Sequence, residues 1–183
     1  MVTVLVASLI DQCDHLIARS LKEVDVESVL KLNTQVADEL LARFDVVILG
    51  GRPFRLPYDC PKIINVPTTV LKSGKPVLGI CLGHQLIAYA HEVSADPSTR
   101  PEYGLSELIV DEINDLYVSL PRRFTVRESH NDEVEEIPQL HKPSINCYVQ
   151  LLKHVEKSIY TIQYHLGVYH TKCVRVRSSV CRR

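Results

Sequence analysis

An α/β domain built on one open, mostly parallel sheet flanked by helices is the fold class this 183-residue sequence predicts. Three observations carry it. Continuous apolar runs that end in glycine, FDVVILGG and PVLGICLG, read as buried parallel strands turning sharply into loops. Beside them lie stretches with apolar residues at spacings of three and four, the period of an amphipathic helix. After Pro97 the chain changes to strand-like segments separated by polar turns, so extra strands are expected in the second half.

Taken in order, Val2, Val4 and Val6 open a first strand with β-branched residues. Cys13, Leu16, Ile17, Leu21 and Val24 then follow a helical pattern, and Val36 to Leu41 forms a second amphipathic stretch leading into the strand Phe44–Leu49. Ile63 to Leu71 reads as a short helix, Lys75 to Ile80 as another buried strand, and His84 to His91 as a helix. In the second half, strands are expected over 106–112, 124–129, 147–153 and 158–164. There is no internal repeat and no low-complexity segment. The length suits one domain with a full core, over residues 1–171, with functional loops at the carboxyl ends of the strands. Residues 172–183 form an atypical basic tail. It reads as a solvated end or an altered sequence rather than a nucleic-acid contact, because no wider basic surface accompanies it.

Composition narrows the function classes. The chain is 45% hydrophobic and 23% charged, as in ordinary globular proteins, and its formal net charge is −1. That balance gives no reason to expect nucleic acid or a membrane surface as partner. The opening apolar run has no basic residue before it and is too short to span a bilayer. Cysteines at 13, 60, 81, 147, 173 and 181 show no metal-type pairing, so no metal site is expected and the thiols read as reduced, in a cytoplasmic protein.

The stretch Gly79-Ile80-Cys81-Leu82-Gly83 places a thiol between two glycines at a strand-to-helix junction. A nucleophile elbow has this form: the tight turn pushes the reactive atom off the sheet edge, and small neighbours let backbone approach closely. The N-terminus of the following helix would favour thiolate, and the Leu82 N–H could stabilise an oxyanion. The five-residue pattern alone fits a packing turn equally well. A thiol nucleophile also needs a base, which can be distant in sequence. Among eight histidines, His84 lies too close to Cys81 on the elbow and reads as packed at the helix start. His15, His91, His141 and His154 have no context above surface or core, and His130 lies in the polar loop expected over 128–132. His165 ends the strand IYTIQY, where an α/β domain places a catalytic base, so His165 is the chosen partner; His170 comes too late.

Taken together, Gly50-Gly51 after a strand, GICLGHQLIA, PEYGLSELIV, RESHNDEVEEIP and IQYH resemble the class I glutamine amidotransferases over about residues 2 to 171. PEYG and ESHNDEV favour the branch of separate glutaminase subunits of archaeal-type GMP synthases. The resemblance implies a flavodoxin-like sheet and a Cys81 thiolate that attacks the side-chain amide of L-glutamine. It implies that His165 protonates the departing ammonia and then activates water, and that N–H groups of Gly50, Gly51 and Leu82 form the oxyanion hole. Gln85 matches a position that contacts bound glutamine; Ser129 and His130 match the segment holding the substrate's amino-acid end. No Gly-rich phosphate loop is present. This chain is therefore expected to carry no cofactor, with ATP and Mg2+ bound by a separate ATP-pyrophosphatase (synthetase) subunit that aminates XMP to GMP.

The chain departs from that family at several places. The family's His-Pro-Glu becomes His165-Leu166-Gly167, so Gly167 stands at the position of the triad acid, and no nearby acid is an obvious substitute. Arg52 precedes Pro53 where proline usually comes at once, and Ala90-His91 replaces a Gly pair. Loss of a triad acid can cost orders of magnitude in rate while leaving residual catalysis. Two alternatives therefore stand beside the glutaminase reading. One is a weakened or silent amidotransferase-like module that binds glutamine or a partner without turnover. The other is an amidotransferase of another biosynthetic pathway, such as anthranilate or histidine synthesis.

Overall fold

The computed structural model describes residues 2–51, 55–56, 65–110, 116–118, 120–135, 149–166 and 168. Six strands form the main sheet in the order β2-β1-β3-β4-β8-β7. These are β1 (Thr3–Ser8), β2 (Glu27–Leu32), β3 (Val46–Leu49), β4 (Val77–Ile80), β7 (Leu151–Lys153) and β8 (Ile159–Ile162). Five run parallel; β7 pairs antiparallel with β8 at one edge. The helices are α1 (Asp14–Lys22), α2 (Asp38–Leu41), α3 (Asn65–Lys72) and α4 (Leu82–Ala90). No helix among the described residues is long and apolar enough to cross a membrane.

Strand parity explains how both faces of the sheet are filled. Successive side chains point to opposite faces, so Val4, Val6, Val46 and Ile48 meet Ile17 of α1 on one side. Leu5, Ala7, Val47 and Leu49 meet Leu41, Val66, Val70 and Ile87 of the other three helices on the opposite side. This double burial is why these strands read as continuous apolar runs in the sequence.

The extra strands of the second half do not simply widen this sheet. β5 (Ala95–Ile109) and β6 (Arg123–Val134) pair with each other as a separate antiparallel ribbon, with an irregularity between Pro97 and Glu102. Leu108, Phe124 and Val126 pack the ribbon onto the α1 side of the sheet. Residues 129–132, expected as a loop after a strand, lie within β6. Every second residue of β6 is buried: Phe124 and Val126, then Glu128, His130 and Asp132, then Val134. The inner face of the strand thus turns from apolar to ionisable where it reaches the carboxyl edge of the main sheet.

β2 is a strand the sequence pattern did not announce, since its ESVLKL run is half-exposed at the sheet edge and carries no continuous apolar stretch. β7 and β8 are shorter than the segments expected for them, and α1 begins one residue after Cys13. Gly167, the Arg52-Pro53 pair, Cys60, Cys147, Cys173, Cys181 and residues 172–183 lie outside the described residues.

Candidate active site

Four adjacent parallel strands deliver the site from their carboxyl ends, the edge at which open α/β sheets bind ligands. β1 leads to Asp11, β3 to Gly50-Gly51, β4 to Cys81 and β8 to His165. Cys81 has φ 53° and ψ −109°, a backbone conformation that L-residues with a Cβ adopt only under strain. It is held by its own N–H donating to Ile162 O at 2.8 Å and by Gln85 N–H donating to Cys81 O at 3.2 Å. Both elbow glycines are sterically required. A Cβ on Gly79 would lie 2.6 Å from Gly83 O, and one on Gly83 would lie 2.5 Å from Leu49 O. The turn is therefore an elbow with a strained cysteine at its apex.

Gly51 brings the other groups together. A Cβ there would stand 3.3 Å from Cys81 Cβ, 3.4 Å from His165 Cε1 and 2.5 Å from Asp11 Oδ2. Only hydrogen at this position leaves room for the three side chains to converge. His165 follows the end of β8, and its backbone N–H donates to Arg127 O of β6 at 3.0 Å. Ser129 presents its carbonyl to the Cys81 thiol, with O and Sγ 3.9 Å apart, and Gln163 Nε2 lies 3.8 Å from the same sulfur.

The electrostatics of the thiol differ from the sequence expectation. Burial, followed by the charges of Asp11 and Glu128, pushes the Cys81 thiol far above its ordinary value, while the Leu82 N–H pulls the other way. The helix N-terminus alone does not make a thiolate in this enclosed site. His165 is held below its usual range by burial, opposed by the Asp11 charge and the Ser129 carbonyl; the charges of His130 and Arg127 push it further down. The resting pair is thus a thiol beside a neutral imidazole.

The expected oxyanion donors are unequal. Gly50 N–H donates to Ala7 O at 3.0 Å, continuing the sheet, and the Asp14 carboxylate crowds the same glycine. Leu82 N–H is directed at the Cys81 sulfur. Of the three, Leu82 N–H is the donor aimed at the Cys81 sulfur, and Gly50 N–H is engaged elsewhere.

Gln85 is buried, and its Nε2 donates to Asp132 O at 2.9 Å and to Gln163 Oε1 at 3.2 Å, tying α4 to β6 and to the segment after β8. The Ser129 side chain is exposed. His130 is buried with Nδ1 at 3.1 Å from Asp132 O and Nε2 at 3.3 Å from Glu102 Oε2 and 3.5 Å from Glu128 Oε2. Burial alone would lower the His130 pKa. The hydrogen bond to Glu102 and the charges of Glu128 and Glu102 win and raise it, which suits a ring whose two nitrogens both face acceptors. Burial pushes Glu128 up to about 7, with the His130 charge opposing. His84 is buried against Thr161 Oγ1 at 2.7 Å, and burial holds it down to about 3, so it is a neutral core histidine.

Donor atoms of Asp11, Cys13 and His165 lie within 4.8 Å of one another, as do those of Glu102, Glu128 and His130. Both groups already set carboxylate against imidazole. Sequence reasoning missed Asp11, Glu102, Glu128 and Gln163. The alternation of β6 with acids at its inward positions was the available signal for Glu128; for Asp11, a loop residue 154 positions before His165, there was none.

Comparison with known proteins agrees with this geometry. The profile of the family "Glutamine amidotransferase class-I" matches residues 5–173. The GMP synthase (glutamine-hydrolyzing) subunit of Methanocaldococcus jannaschii is 39% identical over 163 residues, covering 86% of this chain and 84% of that protein. The protein of the same name from Ignicoccus hospitalis is 39% identical over 176 residues, covering 94% and 92%. Among solved structures, a Thermoplasma acidophilum protein provisionally assigned as the same GMP synthase subunit superposes with a TM-score of 0.86 at 29% identity, covering 94% of this chain and 87% of that one. A glutamine amidotransferase of Thermotoga maritima shares the fold with a TM-score of 0.78 at 19% identity, covering 91% and 76%. This chain belongs to the class I glutamine amidotransferases.

Proposed function

We propose that this chain is the glutaminase subunit of a two-subunit GMP synthase. The observation that carries the catalytic part is the strained elbow that sets Cys81 against Gly51 with the His165 ring on the same glycine. The relatives named as glutamine-hydrolyzing GMP synthase subunits, similar over most of both chains, support the choice of pathway.

The chemistry follows from the resting protonation states. As the Cys81 sulfur adds to the amide carbon of L-glutamine, the thiol proton passes to His165, which is neutral and able to accept it. The carbonyl oxygen becomes an oxyanion facing Leu82 N–H. Collapse breaks the carbon–nitrogen bond, and the nitrogen leaves as ammonia with the proton from His165. Water then adds to the glutamyl thioester, giving its proton to the imidazole; glutamate departs and the thiol is restored. Ammonia goes to a separate ATP-pyrophosphatase (synthetase) subunit, where ATP and Mg2+ support amination of XMP to GMP. A reducing, cytoplasmic setting keeps Cys81 competent.

The experiment is release of amide-labelled ammonia from glutamine, with and without that synthetase subunit, by wild type and Cys81→Ala. Release that depends on Cys81 and passes into GMP is expected. Equal release by both proteins, or none by either, sinks the reading. A binding module without turnover is the second reading, favoured by the engagement of Gly50 N–H with Ala7 O. Tight glutamine binding with no hydrolysis in the complex would select it.

A further inference from the structure

We infer that Asp11 is the acid that positions His165, supplied from the first loop of the chain rather than from the residue two places after the histidine. The inference rests on the glutaminase reading for its catalytic consequence, but its structural content stands separately. Asp11 Oδ2 lies 3.6 Å from His165 Nδ1, with both side chains largely buried. That is an ion-pair distance rather than a hydrogen bond, and contacts of this kind tighten when the imidazole takes up a proton during reaction.

The carboxylate is held for the task. Asp11 Oδ1 accepts the N–H of Cys13 at 3.1 Å, an Asx turn at the start of α1, which leaves Oδ2 to face the histidine. Asp11 N–H donates to Asp14 Oδ2 at 3.2 Å, fixing the loop from its other side. The preceding residue, Ile10, has φ 73°, an outlier for a β-branched residue, and its N–H donates to Ser8 Oγ at 3.0 Å. A strained residue immediately before a carboxylate, held by the strand end, is the signature of a position that the surrounding structure over-determines. Finally, Asp11 and His165 both stand against Gly51, where any side chain would collide with Asp11 Oδ2. One glycine therefore serves two contacts: acid to base, and base to nucleophile.

The other groups facing His165 are His130 and Arg127, whose charges disfavour its protonated form, the Ser129 carbonyl, and the thiols of Cys13 and Cys81. Among the groups that bear on the ring's charge in that set, Asp11 is the carboxylate. It offsets burial when the ring becomes imidazolium, which is the service a triad acid performs.

The test is Asp11→Asn, which keeps the size of the side chain and an oxygen for the Cys13 N–H. In the complex with the synthetase subunit, kcat for glutamine hydrolysis is expected to fall by about tenfold or more with KM within about twofold. The ascending limb of the kcat/KM profile moves to lower pH, because the base loses its favourable charge. Asp11→Ser, which also retains an oxygen near Cys13, repeats the test if the asparagine variant does not fold. Nitrogen NMR of the His165 ring supplies a readout independent of activity: the titration moves to lower pH in the variant, and in wild type the neutral ring carries its proton on Nδ1. An unchanged titration and unchanged kcat, or a wild-type ring protonated on Nε2, overturns the inference. If wild type shows no Cys81-dependent hydrolysis, the functional reading falls, and the NMR titration alone decides on Asp11.

Discussion

Substituting Gly51 by alanine tests the convergence of the site through a residue that has no side chain to lose. The new Cβ would stand 2.5 Å from Asp11 Oδ2, so an ordinary contact requires the carboxylate to retreat by about 0.7 Å. The Asp11–His165 separation then grows from 3.6 Å to about 4.3 Å at most, the limit in which the carboxylate retreats straight away from the ring. At an effective dielectric of about 20, the attraction between a carboxylate and an imidazolium falls from about 4.6 to about 3.9 kcal/mol over that interval. The loss of about 0.8 kcal/mol corresponds to a three- to fourfold change in rate if it is felt wholly in the transition state. Crowding against Cys81 Cβ and His165 Cε1 is milder, since 3.3 and 3.4 Å need only small adjustments.

The assay is Cys81-dependent glutamine hydrolysis together with the NMR titration of His165, run on Gly51→Ala, Asp11→Ala and the double variant. Gly51→Ala is expected to lower kcat by up to about three- to fourfold and to move the His165 titration to lower pH. In the Asp11→Ala background the collision no longer exists, so the alanine at 51 should leave the titration where Asp11→Ala put it. Non-additivity of this kind is what a double-mutant cycle detects between residues in contact. An equal displacement of the titration in both backgrounds would refute the reasoning, because the effect would then not pass through Asp11.

Three further expectations concern stability. Gly83→Ala, whose Cβ meets the Leu49 carbonyl at 2.5 Å, should cost about 1–3 kcal/mol in urea unfolding; a neutral result would show that the elbow and the neighbouring strand are not tightly packed. His130→Ala leaves Glu102 and Glu128 buried without their shared cation and should cost about 3–5 kcal/mol, with a cost below about 1 kcal/mol counting against the charged form of the ring. Burial pushes Asp14 up to about 6, so the protonated form is the stabilising one: its contribution is full below the unfolded pKa and is lost as pH rises through about 6. Measured from about pH 4 to about pH 8, wild type should lose about 1–3 kcal/mol relative to Asp14→Asn, and parallel curves would refute that assignment.

What the sequence made legible follows burial. β1, β3 and β4 are buried on both faces, so VLVA, VVIL and VLGI carry an unbroken apolar signal that survives without any alignment. β2 lies at an exposed edge, where the pattern weakens to ESVLKL, and it passed unseen. The ribbon hid its polar face for a different reason. Glu128, His130 and Asp132 look like a solvated loop by composition, yet they occupy the inward positions of β6, where His130 faces Glu102 and Glu128 and Arg55 pairs with Asp132. The elbow at Cys81 and the strand-end position of His165 were legible because local turn and strand patterns mark them. Asp11 was not, because nothing local marks it; only the sheet order, which sets β1 beside β3 and β3 beside β4, carries it over Gly51 to the histidine.

That order bears on how the nucleophile is prepared. A low-pKa cysteine at a helix N-terminus would be reactive at rest, but here burial and the charges of Asp11 and Glu128 keep Cys81 as a thiol despite the Leu82 N–H. The same Asp11 that disfavours the thiolate favours the imidazolium, since both effects come from one negative charge near both groups. In the proposed reaction, moving the thiol proton to His165 would create a positive ring beside that carboxylate, and the negative charge would go onto the substrate oxygen rather than stay on sulfur. On that reading the charge of Asp11 opposes a free thiolate and supports the addition step, so that the enclosed cysteine would react only once an amide is in place to accept its electrons.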